Sequence, residues 1–137
     1  MISNETTAVL EAPDRLFQVT QVSRSHTRLW LQADANSTHE HRLEVLFQHV
    51  KYLCAPFVLR GLSLRRADPE QTRRLTELHG LVIEPGSDMY LLSRSHDWFV
   101  VSSHPLWAEA KLRYLDEPVF WSHTGNEDVV TSMGTVK

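Results

Sequence analysis

Glycine is scarce in this chain and scattered. Gly61, Gly80, Gly86, Gly125 and Gly134 are too far apart to form a loop that cradles phosphate, which argues against nucleotide chemistry. Cysteine is scarcer still. Cys54 is the only one, so no internal disulfide can form, and its place among apolar neighbours reads as a buried, inert thiol. No apolar run approaches the roughly eighteen residues of a membrane span. The opening MISNETTAVLEAP has neither a basic start nor an apolar stretch behind it, so the expectation is a soluble, cytoplasmic protein without membrane contact. The spacings HExxH and paired CxxC are missing, as are a nucleophile elbow and any other signature that would call for a cofactor.

What is present is ordinary globular material: 137 residues, 42% hydrophobic and 23% charged, enough for one core. The net charge of -3 is unevenly spread. Acids without bases occupy residues 1–14 (Glu5, Glu11, Asp14) and 116–136 (Asp116, Glu117, Glu127, Asp128), leaving the middle mildly basic and rich in arginine.

Periodicity divides the chain into an arm, a domain and a tail. Residues 1–14 lack a pattern and read as a loose N-terminal arm. Residues 15–22 and 27–33 alternate as a strand pair, Phe17 and Val19 on one parity, Leu29 and Leu31 on the other strand. The stretch 37–54 spaces Leu43, Leu46, Phe47, Val50, Leu53 and Cys54 at helical intervals, with Val45, His49 and Tyr52 as a second stripe. Glu40, Glu44, Gln48 and Lys51 make its wet strip, and Ser37 with Glu40 has capping-box spacing. This predicts a central helix that Pro56 closes. FVLRGLSLRR reads as a strand whose facing changes at Gly61, the mark of a bulge. Asp68-Pro69 starts a short helix that buries Leu75 and Leu78, and Gly80 stops it. Leu81–Ile83 reads as a brief strand. Asp88–Ser103 is a hairpin apolar on both parities, turning at Arg94–Asp97, which belongs inside a sheet covered on two faces. A third helix is predicted from Ser103–His104 to Leu115, with Trp107, Ala110 and Tyr114 inward and Pro118 ending it. Val119, Phe120 and Trp121 read as a last short strand or an apolar plug, and residues 123–137 as a flexible tail.

The expected fold is therefore α+β, a single domain over 15–122. It is a mainly antiparallel sheet in the order β-β-α-β-α-β-β-α, with helices in one layer around the central helix 37–54. Ser-Arg-Ser-His occurs at both 23–26 and 93–96, read as similar hairpin turns or as an internal repeat.

Three groups of residues invite chemistry. Arg60, Arg65, Arg66, Arg73 and Arg74 concentrate positive charge on a strand and the next helix, with no aromatics between them for stacking nucleic-acid bases. His26, His96 and His104, with Asp97 and the hydroxyl of Ser95 or Ser103, would supply acid, base and nucleophile if the hairpin turns met at one edge. Glu40, His41 and Glu44 would share a helical face and form a weak metal set, whereas His39 points away. His49 reads as a hydrogen-bonded core residue.

The function expected from these features is a non-catalytic protein-binding module, of inhibitor, immunity or regulatory type, acting through the arginines and exposed aromatics on an acidic protein partner. The alternatives are a small enzyme or ligand binder using the histidine-bearing turns, and an anionic-polymer binder, nucleic acid included, through the arginines.

Overall fold

A computed structural model describes residues 4–23, 27–112, 119 and 129–137. Its described residues form one mixed sheet of ten strands and one short helix. The strands are β1 (Asn4–Thr7), β2 (Val9–Ser23), β3 (Arg28–Ala33), β4 (Arg42–Phe47), β5 (Tyr52–Cys54), β6 (Val58–Arg66), β7 (Asp88–Leu91), β8 (Phe99–Ser102), β9 (Leu106–Ala110) and β10 (Val130–Val136). Between β6 and β7 lies α1 (Pro69–His79).

The α+β expectation is thus corrected. Residues 42–54 form two strands rather than a central helix, and 106–110 is a strand where a third helix was expected. The physical reason lies in β4, which is buried on both sides. Leu43, Val45 and Phe47 join the main core while Arg42, Glu44 and Leu46 on the other parity are also covered. A strand buried on both faces loses its alternation, and its apolar run then satisfies helical spacing as well. Glu44, assigned from sequence to a solvent strip, is 1% exposed. It lies 3.4 Å from the fully buried Arg42, and its carboxylate accepts the Val119 N–H at 2.9 and 3.0 Å. The capping box at Ser37 does not form either. Asn36 Oδ1 instead accepts from the Thr38 and His39 N–H groups, both at 2.8 Å, a side-chain-built turn.

The strand pairings close into a ring. β2 pairs with β3, β3 with β4, β6 with β2, β7 with β6 and β8 with β7, all antiparallel. β4 also pairs with β9, and the strands adjoining these two along the chain, β5 and β8, pair with each other. Bonds from Ser103 N–H to Gln48 O (3.1 Å) and Lys51 N–H to Val101 O (2.8 Å) carry the pairing round the bend. Six ribbons therefore enclose one core, which includes Phe17, Leu31, Val45, Leu62, Tyr90 and Val100. Of the stretches expected as a loose arm and a flexible tail, the described β1 and β10 join this sheet: β10 lies along β9, and β1 runs parallel to β10.

Other expectations agree with the structure. The β2–β3 and β7–β8 hairpins form, and β7 and β8 are covered on both faces. Tyr90 and Val100 point into the ring, whereas Met89, Leu91, Phe99 and Val101 pack outward with Leu75 of α1. Asp68 caps α1 in a reciprocal box with Gln71, and Gly80 ends it in the left-handed conformation. Leu78, however, is exposed, and Leu81–Ile83 forms no strand. All of the last short strand but Val119, the end of the expected third helix (113–115) and all of the first Ser-Arg-Ser-His turn but Ser23 lie outside the described residues.

Gly61 marks a break in register, but the extra residues lie across from it. Ala12 pairs with Leu62 and Leu16 with Arg60, so Pro13, Asp14 and Arg15 stand opposite Gly61 alone. Gly61 has φ of 88°, and a Cβ there would come within 2.7 Å of the Pro13 carbonyl oxygen. Gly86 has a similar φ of 89° with open space around it. Gly86→Ala should therefore cost about 1 kcal/mol of backbone strain, and Gly61→Ala at least about 2 kcal/mol because the contact adds to the strain. Urea denaturation of the two variants checks this, and equal losses would contradict it.

Candidate functional site

The five arginines singled out in the sequence have different surroundings. Arg65 is half-buried and donates to Ser63 O, Ser63 Oγ and Ser93 O, all at 3.3 Å, tying β6 to the turn after β7. Arg74 on α1 grips Asp97 of the same turn with two bonds of 3.0 and 3.1 Å. Arg73 pairs with Glu77 one helical turn on, at 3.2 Å and in the open. Arg60 and Arg66 are exposed and make no ion pair among the described residues.

The turn itself is fastened on two sides. Ser93 Oγ accepts from the Ser95 and His96 N–H groups at 3.1 and 3.2 Å, and His96 stacks on Trp98 with ring centroids 4.2 Å apart. Arg74 holds Asp97 from the helix, while Arg94 holds Glu11 of β2, whose carboxylate also accepts from Ser63 Oγ at 2.8 Å. The Arg94 and Ser63 bonds keep the Glu11 carboxyl below its ordinary range. The Arg74 bond does the same for Asp97.

Two concave surfaces adjoin β6, and the smaller of them reaches this turn at Ser93 and Arg94. A cleft of about 720 Å³ lies between the start of α1 and the start of β7, lined by Arg66, Arg73, Asp88, Ile83 and Met89 among others. A shallower hollow of about 180 Å³ lies over β6 beside Arg60, Gly61 and Arg94. Next to it the outer wall of β2 and β6 is bare. Leu16 is opposite Arg60 and Val58 opposite Gln18, and both apolar side chains are 46% exposed. Phe57, just before β6, is 75% exposed. By contrast Trp30 and Trp107 are buried and Trp98 lies under His96, so among the described residues tryptophan supplies little of this surface.

The histidines are dispersed. His96 is in the turn that precedes β8, and His104 follows β8 at its other end. His104 Nδ1 instead meets the hydroxyl of Tyr90, whose phenol is pushed up to about 12 by burial and by nearby Asp88. Asp97 is taken by Arg74, and His26 lies outside the described residues. His49 is exposed in the bend after β4, with φ of 54° and its Nδ1 3.3 Å from Ser103 Oγ, rather than in a helical core. The helical face that grouped Glu40, His41 and Glu44 is absent: Glu40 is exposed, and Glu44 is buried against Val119. Among the described residues no three His, Cys, Asp or Glu side chains gather as metal ligands.

Sequence reading passed over Arg15, Glu11 and the apolar wall. Arg15 is buried and donates to three backbone carbonyls, Ala33 (3.1 Å), Asp34 (3.1 Å) and His41 (2.6 Å). Burial lowers its pKa, partly offset by Glu109, Asp14 and Asp34. The signal for the wall was present in Leu16, Phe57 and Val58, but strand parity alone does not tell a bare face from a covered one.

No protein-family model, curated protein or solved structure matches this chain. Among the described residues no helix is long and apolar enough to cross a membrane.

Because the folded pKa of Asp97 is depressed, the grip of Arg74 on the turn is fully present above the ordinary carboxylate range. It is lost as pH falls through the depressed value. A carboxyl-detected NMR titration should find the Asp97 midpoint below that of a free aspartate, and Arg74→Ala should move it back up. An unchanged midpoint would show that the bidentate pair does not persist in solution.

Proposed function

We propose that this protein is a non-catalytic binding module that holds an acidic protein partner on the outer wall of β2 and β6. The observation that carries the reading is the conjunction of exposed Leu16, Val58 and Phe57 with Arg60, which has no ion pair among the described residues. An exposed antiparallel face is normally polar, so apolar side chains grouped there are what a partner would cover. Arginine beside apolar side chains is a frequent source of interface energy, because its stem packs while its fork bonds to carboxylate. Of the other arginines, Arg65 and Arg74 serve the fold. The acids among these arginines, Glu11, Glu77 and Asp97, weaken the case for a polyanion such as nucleic acid. A cytoplasmic setting belongs to the same reading, since a lone cysteine places no demand on an oxidising compartment.

The full chain used as bait, alone and with Phe57→Ser and Arg60→Glu together, tests it by quantitative mass spectrometry of what is retained. The double variant should melt normally and lose the retained partner, and salt should weaken the wild-type association. His96→Ala and His104→Ala should retain it. Loss in the histidine variants with retention in the double variant would overturn the reading.

A further inference from the structure

The cleft at the foot of α1 is separate from the β2–β6 wall, and its chemistry points elsewhere. Its floor is apolar, with Met89 and Ala67 buried and Ile83 partly so, and the Ala67 N–H bonded to Met89 O at 2.8 Å. Around that floor stand two arginines and two aspartates. Asp68 is already committed to capping, its carboxylate accepting the Gln71 N–H at 2.7 Å. The cap occupies part of the helix start, leaving the arginines as the natural holders of an anionic group. Arg66 makes no ion pair among the described residues, and Arg73 has only Glu77, in a pair whose members are 61% and 67% exposed and therefore weakly held. Asp88, half-buried, likewise makes no ion pair among the described residues.

The cleft thus offers guanidinium groups for a carboxylate, a carboxylate for a cation, and apolar surface between them. Two positive and two negative side chains cancel, so a polyanion gains no net attraction there. A molecule of net zero charge carrying both signs gains on each. The volume of about 720 Å³ lies within the roughly 300–1,000 Å³ range of small-ligand pockets.

We propose that this cleft binds a zwitterionic ligand with an apolar body, namely a short peptide with free ends, its carboxylate on Arg66 and Arg73, its ammonium on Asp88 and its side chains on Ile83 and Met89. Bidentate recognition of carboxylate by arginine gives the direction of binding, with the ammonium on Asp88, the cleft carboxylate that does not cap α1.

The test is an amide NMR titration of the full chain with the tripeptide Ala-Leu-Val, its N-acetylated form, its C-terminal amide, and inorganic pyrophosphate. The free tripeptide should saturate shifts at Ala67, Thr72 and Met89 and leave Leu16 and Val58 still. N-acetylation should weaken it about tenfold, the effect of losing one charge-assisted bond, and amidation by a similar factor. In Asp88→Asn the acetylated and free peptides should bind alike. In Arg66→Gln, the penalty for amidation should shrink. Absence of saturable binding, equal affinity for free and capped peptides in the wild type, shifts centred on the β2–β6 wall, or tighter binding of pyrophosphate would each overturn the assignment.

Discussion

The three-for-one bulge of β2 against Gly61 is the constraint on which the rest depends. The strand pairs with β6 up to Gln18 and with β3 from Gln18 to Ser23, so this one element passes the ring from β6 to β3. A bulge of this size bends and twists the strand that carries it. It also turns Arg15 towards the loop between β3 and β4, where its guanidinium gathers three backbone carbonyls. The neighbouring Asp14 meets His39 of the same loop at 2.8 Å. One irregularity thus fixes strand curvature, a loop and the side of the wall on which Leu16 reappears, opposite Arg60.

The arginines divide accordingly. Ion pairs as exposed as Arg74 with Asp97 or Arg94 with Glu11 contribute little to stability. Their effect is positional. They tie the β7–β8 turn to α1 on one side and to β2 on the other. The cations outside these clamps, Arg60 and Arg66, line different concavities, which is why two separate binding roles follow from one cluster in the sequence.

Legibility from sequence followed how local the deciding physics was. The capped helix at Asp68–Gly80 and the Met89–Val101 hairpin were readable because capping residues and a polar turn lie within a few positions of what they determine. Residues 42–54 were not. Burial of Arg42 and Glu44 depends on what covers β4, and Val119 is 75 residues from Glu44 along the chain. In 106–110, Trp-Ala-Glu-Ala favours helix by propensity, but pairing with β4 on one side and β10 on the other overrides it. At the site, the clustering of arginines was visible. Which of them are occupied was not, because Glu11 and Arg94 are separated by 83 positions.

The claim most exposed to direct contradiction is the ring, and within it the double pairing of the ribbon 42–54 with 99–110. Cross-strand backbone NOEs decide it. The account predicts contacts between Val45 and Trp107 and between Leu53 and Val100, with strand-type shifts on both sides of the His49 bend. Sequential amide–amide NOEs running unbroken from Arg42 to Cys54, without contacts to residues 99–110, would replace the ribbon by a helix and open the ring.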